Sequence, residues 1–157
     1  MKVKKTNAMR HLNTLKLPYE AFDLQFKEAK DAQSVAELLN TSPKQVFKTL
    51  VTITPTKEPV VFMIPANAHL SLKKAAHVAG KKKLEMLPQK QLLPLTGYVH
   101  GGCSPLGMKK HFPTYFDQSA LDYDKIFFSG GKIGVQIQLD PRLLGQAIQA
   151  QSADLCE

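Results

Sequence analysis

Two apolar runs constrain this fold more than any other feature of the chain. "KTLVTIT" (48–54) and "VVFMIPA" (60–66) are each of strand length and rich in β-branched residues, and the segment between them, "PTKEP" (55–59), carries two prolines. The pattern reads as a hairpin. Lys48 shares its phase with Val46 and Leu50, while Phe47, Thr49, Val51 and Ile53 occupy the other. Both faces are apolar, so the hairpin belongs inside a layered fold.

Around the hairpin, strand and helix signals alternate. Thr6 is placed to cap a helix over "NAMRHLNTLK", with Met9, Leu12 and Leu15/Leu17 at helical spacing and Pro18 as its stop. "YEAFDLQF" reads as a strand and "DAQSVAELLN" as a helix with a Val35, Leu38, Leu39 stripe; Ser42-Pro43 opens a short helical turn. Ser71 caps "LKKAAHVAG", which Gly80 ends; "KKLEML" is a short strand, and Pro88 takes the first helical position of "PQKQLLPL". "TYFD" and "KIFFS" are strands, the second joined to "KIGVQIQL" through a Gly130-Gly131 turn of the two-residue hairpin kind. Asp140 and Pro141 open a final helix. The expected fold is mixed α/β, with a sheet that is not purely parallel and four or so helices around it.

With 157 residues, 43% apolar and 22% charged, the chain has ordinary globular composition and can bury a core, so residues 1–157 are expected to form one domain. "MKVKKTNAMRHL" leads into no apolar stretch of signal-peptide length, and no run reaches the roughly 20 residues that span a bilayer. The expectation is a cytoplasmic protein with no membrane contact. Cys103 and Cys156 are far apart, and the five histidines have no metal-ligand spacing. Neither a metal nor a cofactor is expected.

The net charge of +8 is concentrated. Between Leu70 and Lys110 stand Lys73, Lys74, Lys81, Lys82, Lys83, Lys90, Lys109 and Lys110 against one acid, Glu85, a local charge of +7. Such a run can be a solvated face, but its concentration also fits a polyanion partner. Of 21 basic residues only Arg10 and Arg142 are arginine. Lysine holds phosphates as a point charge, whereas arginine is better suited to reading base edges, so backbone tracking of a nucleic acid is the better match.

"GGCSPLGMKK" (101–110) invites a search for chemistry. A nucleophile elbow needs G-x-S-x-G, and here Leu106 stands where the second glycine belongs; Pro105 also removes an N–H that would help form an oxyanion hole. Ser104 therefore fails as a covalent nucleophile. Cys103 with His100 or His111 would need an electropositive, partly exposed setting, and a small packing role is preferred. The phosphate-loop pattern GxxxxGK[ST] is absent, yet the loop can still curve several N–H donors around a carbonyl or phosphate oxygen. Lys48, on an apolar strand, either is held in a pocket, where burial would lower its pKa, or snorkels to water; its own strand context favours snorkelling, since a lysine stem covers apolar surface while the ammonium stays wet.

Taken together, "VFKTLV", "GGCSPLGMKK" and "SGGKIGVQIQL", in this order and spacing, resemble the YbaK/EbsC family of aminoacyl-tRNA deacylases, over nearly the whole chain. The resemblance implies a mixed α/β, barrel-like sheet surrounded by helices, like the editing insertion domain of bacterial prolyl-tRNA synthetases. It implies release of cysteine from mischarged Cys-tRNA(Pro), with the acceptor end of tRNA as ligand and prolyl-tRNA synthetase as an associated partner. By the same resemblance Lys48, with Thr49 beside it, lines the pocket at the aminoacyl ester. Gly101, Gly102, Ser104, Pro105 and Gly107 supply backbone contacts around the scissile carbonyl, and Ser129, Gly130 and Gly131 form the far wall. The family mechanism uses no enzyme nucleophile: the substrate thiol attacks its own ester and leaves as a thiolactone. Such an attack needs mainly orientation and charge stabilisation.

The chain departs from the family pattern at four places. Gln136 stands where cysteine-specific members have an aspartate, Ile133 where they have arginine, Leu24 near a usual tyrosine, and Cys103 at a commonly aliphatic position. A deacylase for another small amino acid such as alanine, and a non-catalytic tRNA-binding or regulatory module, are the alternatives.

Overall fold

The computed structural model describes residues 3–157. Its centre is the hairpin of β2 (Phe47–Ile53) and β3 (Pro59–Pro65), antiparallel from Phe47 opposite Pro65 to Ile53 opposite Pro59. β4 (Glu85–Met86) pairs antiparallel with β2, while β5 (Thr114–Asp117) runs parallel to β3 and β8 (Gln151–Ala153) parallel to β5. The resulting sheet has the order β4-β2-β3-β5-β8. A second, antiparallel sheet places β7 (Val135–Leu139) between β1 (Glu20–Asp23) and β6 (Ile126–Ser129). One bridged pair, Val46 with Phe127, joins the two sheets.

Among the described residues, five helices surround them: α1 (Asn7–Thr14), α2 (Ala32–Leu38), α3 (Leu72–Ala79), α4 (Leu92–Thr96) and α5 (Leu144–Ile148). Side-chain caps set several starts. Thr6 Oγ1 accepts from the Met9 N–H (3.2 Å), Asp31 Oδ1 from Ser34 (2.7 Å) and Ser71 Oγ from Lys74 (3.2 Å). Each such cap contributes about 1 kcal/mol. The expected turn after Ser42 is a single 3-10 turn over Pro43–Gln45.

The sheet is mixed as expected, and both faces of the central hairpin are covered. On one side Phe62 and Ile64 pack with Ala75 and Ala76 of α3 and with Leu155; on the other, Met63 joins Met9, Leu12, Phe128 and Ile137, and Val61 joins Tyr98 and Phe112.

Four local readings change. "YEAFDLQF" is a strand only over Glu20–Asp23: the Leu24 N–H still donates in register to the Gly134 carbonyl (2.7 Å), but at Gln25, with φ +61° and its N–H donated to Asp23 Oδ1 (2.9 Å), the chain leaves the sheet. Pro88 precedes the first helical turn instead of opening it. The β6–β7 connection is wider than a two-residue Gly-Gly turn. The Gly130 N–H donates to the Val135 carbonyl (2.8 Å), so residues 131–134 form the loop and Lys132 and Ile133 lie outside the strand. Finally, β8 was not expected; "QSA" has no apolar alternation and is held by its parallel pairing with β5 and by the buried Leu155 beyond it.

Candidate active site

Past the Val46–Phe127 pair the ladder between β2 and β6 does not continue, and a cleft of about 390 Å³ opens beside these strands. Val46 to Leu50 form one wall, Ser129 and Gln136 another, and Cys103 with Gly101 and His100 a third; Lys30 and Asp31 stand at its border. The cleft therefore draws on both sheets, the start of α2 and the 99–104 loop.

Close backbone approach holds that border together. A Cβ on Gly101, whose φ is +85°, would lie 2.7 Å from the Ala29 Cβ, and one on Gly102 would lie 2.9 Å from the Ile133 backbone nitrogen. Only glycine lets the 24–31, 99–104 and 130–134 segments press this tightly. The Gly102 N–H is taken by the Val99 carbonyl (3.0 Å), while its neighbours Gly101 and Cys103 line the cleft.

Lys48 is half-buried in this wall, so the pocket alternative describes it better than free snorkelling. No carboxylate pairs with it among the described residues. Burial is the main cause pulling its pKa below 10.5, partly opposed by Cys156. Cys103 also lines the cleft, but burial pushes its thiol up to about 12, against a smaller opposing hydrogen bond with Thr96. It is protonated at neutral pH and is no thiolate nucleophile.

The remaining residues singled out from sequence divide in two. Thr49, Gly101, Ser129 and Gln136 line the cleft together with Lys48. Gly102, Ser104, Pro105, Gly107, Gly130 and Gly131 do not, and they shape its surroundings instead. Ser104 is fully buried and its Oγ accepts from the Leu106 N–H (3.3 Å). Leu106 is also fully buried, and the Tyr98 hydroxyl donates to its carbonyl (2.6 Å), which anchors the loop in the core. Pro105 and Gly107 border a smaller cavity of about 80 Å³ with His11 and Lys110. Thr6 Oγ1 donates to the Gly130 carbonyl, and Gly131 packs against the Tyr98 ring. Sequence reasoning did not assign Ala29, Lys30, Asp31 or His100 to the site. His100 was within reach as the neighbour of Gly101, whereas the 29–31 segment is brought in by tertiary folding.

The basic run is partly neutralised. Lys74 pairs with Asp154 (3.1 Å), Lys81 with Glu58 (2.8 Å) and Lys83 with Glu85 (3.2 Å), and the Lys109 Nζ donates to the Pro94 carbonyl (3.3 Å). Lys73, Lys82, Lys90 and Lys110 are exposed and have no ion pair among the described residues.

Comparison with known proteins places this geometry in context. The model of the aminoacyl-tRNA editing domain matches residues 27–146. A protein of Enterococcus faecalis (strain ATCC 700802 / V583), named as a Cys-tRNA(Pro)/Cys-tRNA(Cys) deacylase, EbsC, is 46% identical over 96% of this chain and 93% of its own length. The proline–tRNA ligase of Thermodesulfovibrio yellowstonii (strain ATCC 51303 / DSM 11347 / YP87) is 29% identical over 108 residues, 68% of this chain and 19% of the ligase. A crystal structure described as a trans-editing enzyme for prolyl-tRNA synthetase superposes with a TM-score of 0.81 at 24% identity, covering 99% of both chains, and shows the same fold.

Proposed function

The chain belongs to the aminoacyl-tRNA editing-domain family, and we propose that it is a trans-acting deacylase that releases cysteine from mischarged Cys-tRNA(Pro). Residues 1–157 act as one editing unit. The observation that carries this reading is a cleft that brings Lys48, without a carboxylate partner among the described residues, together with the 100–103 loop, and whose thiol, Cys103, is held protonated. Such a site suits a reaction whose nucleophile arrives with the substrate.

In that reaction the cysteinyl Sγ attacks its own ester carbonyl. A C–S bond forms, the ester C–O bond breaks, the thiol proton passes to the departing ribose oxygen, and cysteine thiolactone leaves without consuming water. Lys48 and the loop amides stabilise the negative charge that builds on the ester oxygens. The walls hold thiol and carbonyl within reach of each other, converting a flexible side chain into an attacking one. Gly102, Ser104, Pro105 and Gly107 fix the loop that carries the amides, and Ser129, Gly130 and Gly131 fix the opposite wall.

The tRNA acceptor stem is held by lysines of the 70–110 segment, Lys73, Lys74, Lys81, Lys82, Lys83, Lys109 and Lys110, in contact with phosphates. The likeness to part of a proline–tRNA ligase supports prolyl-tRNA synthetase as the enzyme whose errors it clears, and a charged-tRNA substrate supports a cytoplasmic location. The test is to incubate the protein with Cys-, Ala- and Ser-charged tRNA(Pro) and follow the ester bond. Fast loss of cysteine with slow loss of serine is expected. Preferred loss of alanine would replace cyclisation with water attack, and no loss from any of the three would leave a tRNA-binding module.

A further inference from the structure

Two polar atoms of the cleft are buried without a hydrogen-bond partner among the described residues: Thr49 Oγ1 and Gln136 Oε1. The Gln136 side chain is only 8% exposed, on β7 opposite Ser129 of β6 and Phe22 of β1. Buried acceptors are rarely left unpaired in a finished fold, and one that lines a cleft marks where a ligand donor belongs. Ser129 Oγ accepts from the Gly131 N–H (3.2 Å) and makes no hydrogen bond to Gln136 among the described residues. Asp31 Oδ1 caps α2 by accepting from the Ser34 N–H (2.7 Å), and this exposed carboxylate stands at the border of the cleft. Lys48 and Thr49 are neighbours on β2, so their side chains leave the strand on opposite faces and reach the cleft from different directions. The cleft therefore has two poles, a cation at Lys48 and a pair of neutral acceptors at Thr49 and Gln136.

An aminoacyl ester has the complementary polarity. Its carbonyl is the acceptor and oxyanion end, and one carbon away its α-ammonium carries three N–H donors. The thiol of cysteine is a much weaker donor than an ammonium, and hydrogen bonds from charged donors are the stronger class. We infer that Gln136 and Thr49 receive the α-ammonium of the aminoacyl group, so that the cleft accepts esters with a free amino group and rejects N-acylated ones. This specificity rests on the deacylase reading and selects among charged tRNAs by the state of the amine rather than by the side chain.

The test compares Cys-tRNA(Pro) with N-acetyl-Cys-tRNA(Pro), using wild-type protein, Gln136→Leu and Gln136→Glu. The wild type is expected to discriminate against the acetylated ester by at least about tenfold in kcat/KM, the scale of one charge-assisted hydrogen bond. Gln136→Leu should lose most of that ratio and Gln136→Glu should keep or widen it. Equal wild-type rates on both esters would overturn the inference. So would a Gln136→Leu protein slowed on both esters with its ratio intact.

A binding arm separates this inference from the reaction itself. It uses the non-cleavable 3′-amide analogue of cysteinyl-adenosine with a free or acetylated amine, and the free-amine form with or without its 2′-hydroxyl. If deacylation fails on every substrate, preference for the free amine that Gln136→Leu removes still supports the assignment. No such preference, or Gln136-dependent binding that follows the 2′-hydroxyl, overturns it.

Discussion

Lys48 shows how a single residue carries chemistry through its surroundings. Burial works against its charged form, so the folded pKa lies below the free value of 10.5. If the cation stabilises the oxyanion, deacylation above the uncatalysed background should fall as pH rises through that folded value, with the alkaline limb below 10.5. Lys48→Ala should reduce kcat/KM by about 10²–10³-fold, the scale of losing one oxyanion donor, with the circular dichroism spectrum unchanged. The stability sign is opposite to that of a paired lysine. The folded state binds this proton less tightly than the unfolded chain, so the penalty is present below the folded pKa and relieved as pH rises from there toward 10.5. Lys48→Met should therefore raise the melting temperature slightly at pH 7 and lose that advantage in alkali; a lower melting temperature at pH 7 would show that the ammonium is well solvated. Cys103→Ala should leave turnover intact, since its thiol is protonated well past neutral pH. The phase of Lys48 on an apolar strand was legible in the sequence. The unpaired state of Thr49 and Gln136 was not, because a missing partner depends on everything brought nearby by the fold.

At the scale of elements, the cleft depends on loops that only glycine allows to touch. Gly101→Ala must place a Cβ 2.7 Å from the Ala29 Cβ at a φ of +85°. A loss of about 1–3 kcal/mol in urea denaturation is expected, together with a raised KM from displacement of the 29–31 segment. Thr6 has two roles, capping α1 and donating to the Gly130 carbonyl. Thr6→Ala should cost about 1–2 kcal/mol, and Thr6→Ser should recover most of it. Elements fixed by local chemistry, such as the caps of Thr6 and Ser71 and the central hairpin, could be read directly from residue order. The 131–134 loop and β8 could not. The loop width is set by the Gly130–Val135 hydrogen bond, and β8 exists because β5 offers it a parallel edge.

For the molecule as a whole, the charge asymmetry was plain in the composition, but its distribution was not. Lys74, Lys81 and Lys83 already have carboxylate partners, whereas Lys73, Lys82, Lys90 and Lys110 have none among the described residues. Changing Lys73 or Lys82 to Ala should weaken tRNA binding and reduce the magnitude of the salt slope, by up to about one unit for each phosphate left without its lysine, with a smaller effect at Lys81 or Lys83. Equal effects at both sets would show that the ion pairs yield to the RNA. The mixed fold follows from two apolar faces that need cover, while the site lies where the two sheets, packed on a shared core, are bridged by Val46 and Phe127 and the ladder goes no further among the described residues. The central claim is that the substrate supplies the nucleophile to such a cleft. S-methylcysteinyl-tRNA(Pro), which keeps the amine and the ester but blocks the thiol, tests it most directly against Cys-tRNA(Pro). The account predicts rapid release of cysteine and none of S-methylcysteine above background; release of both at similar rates would contradict it.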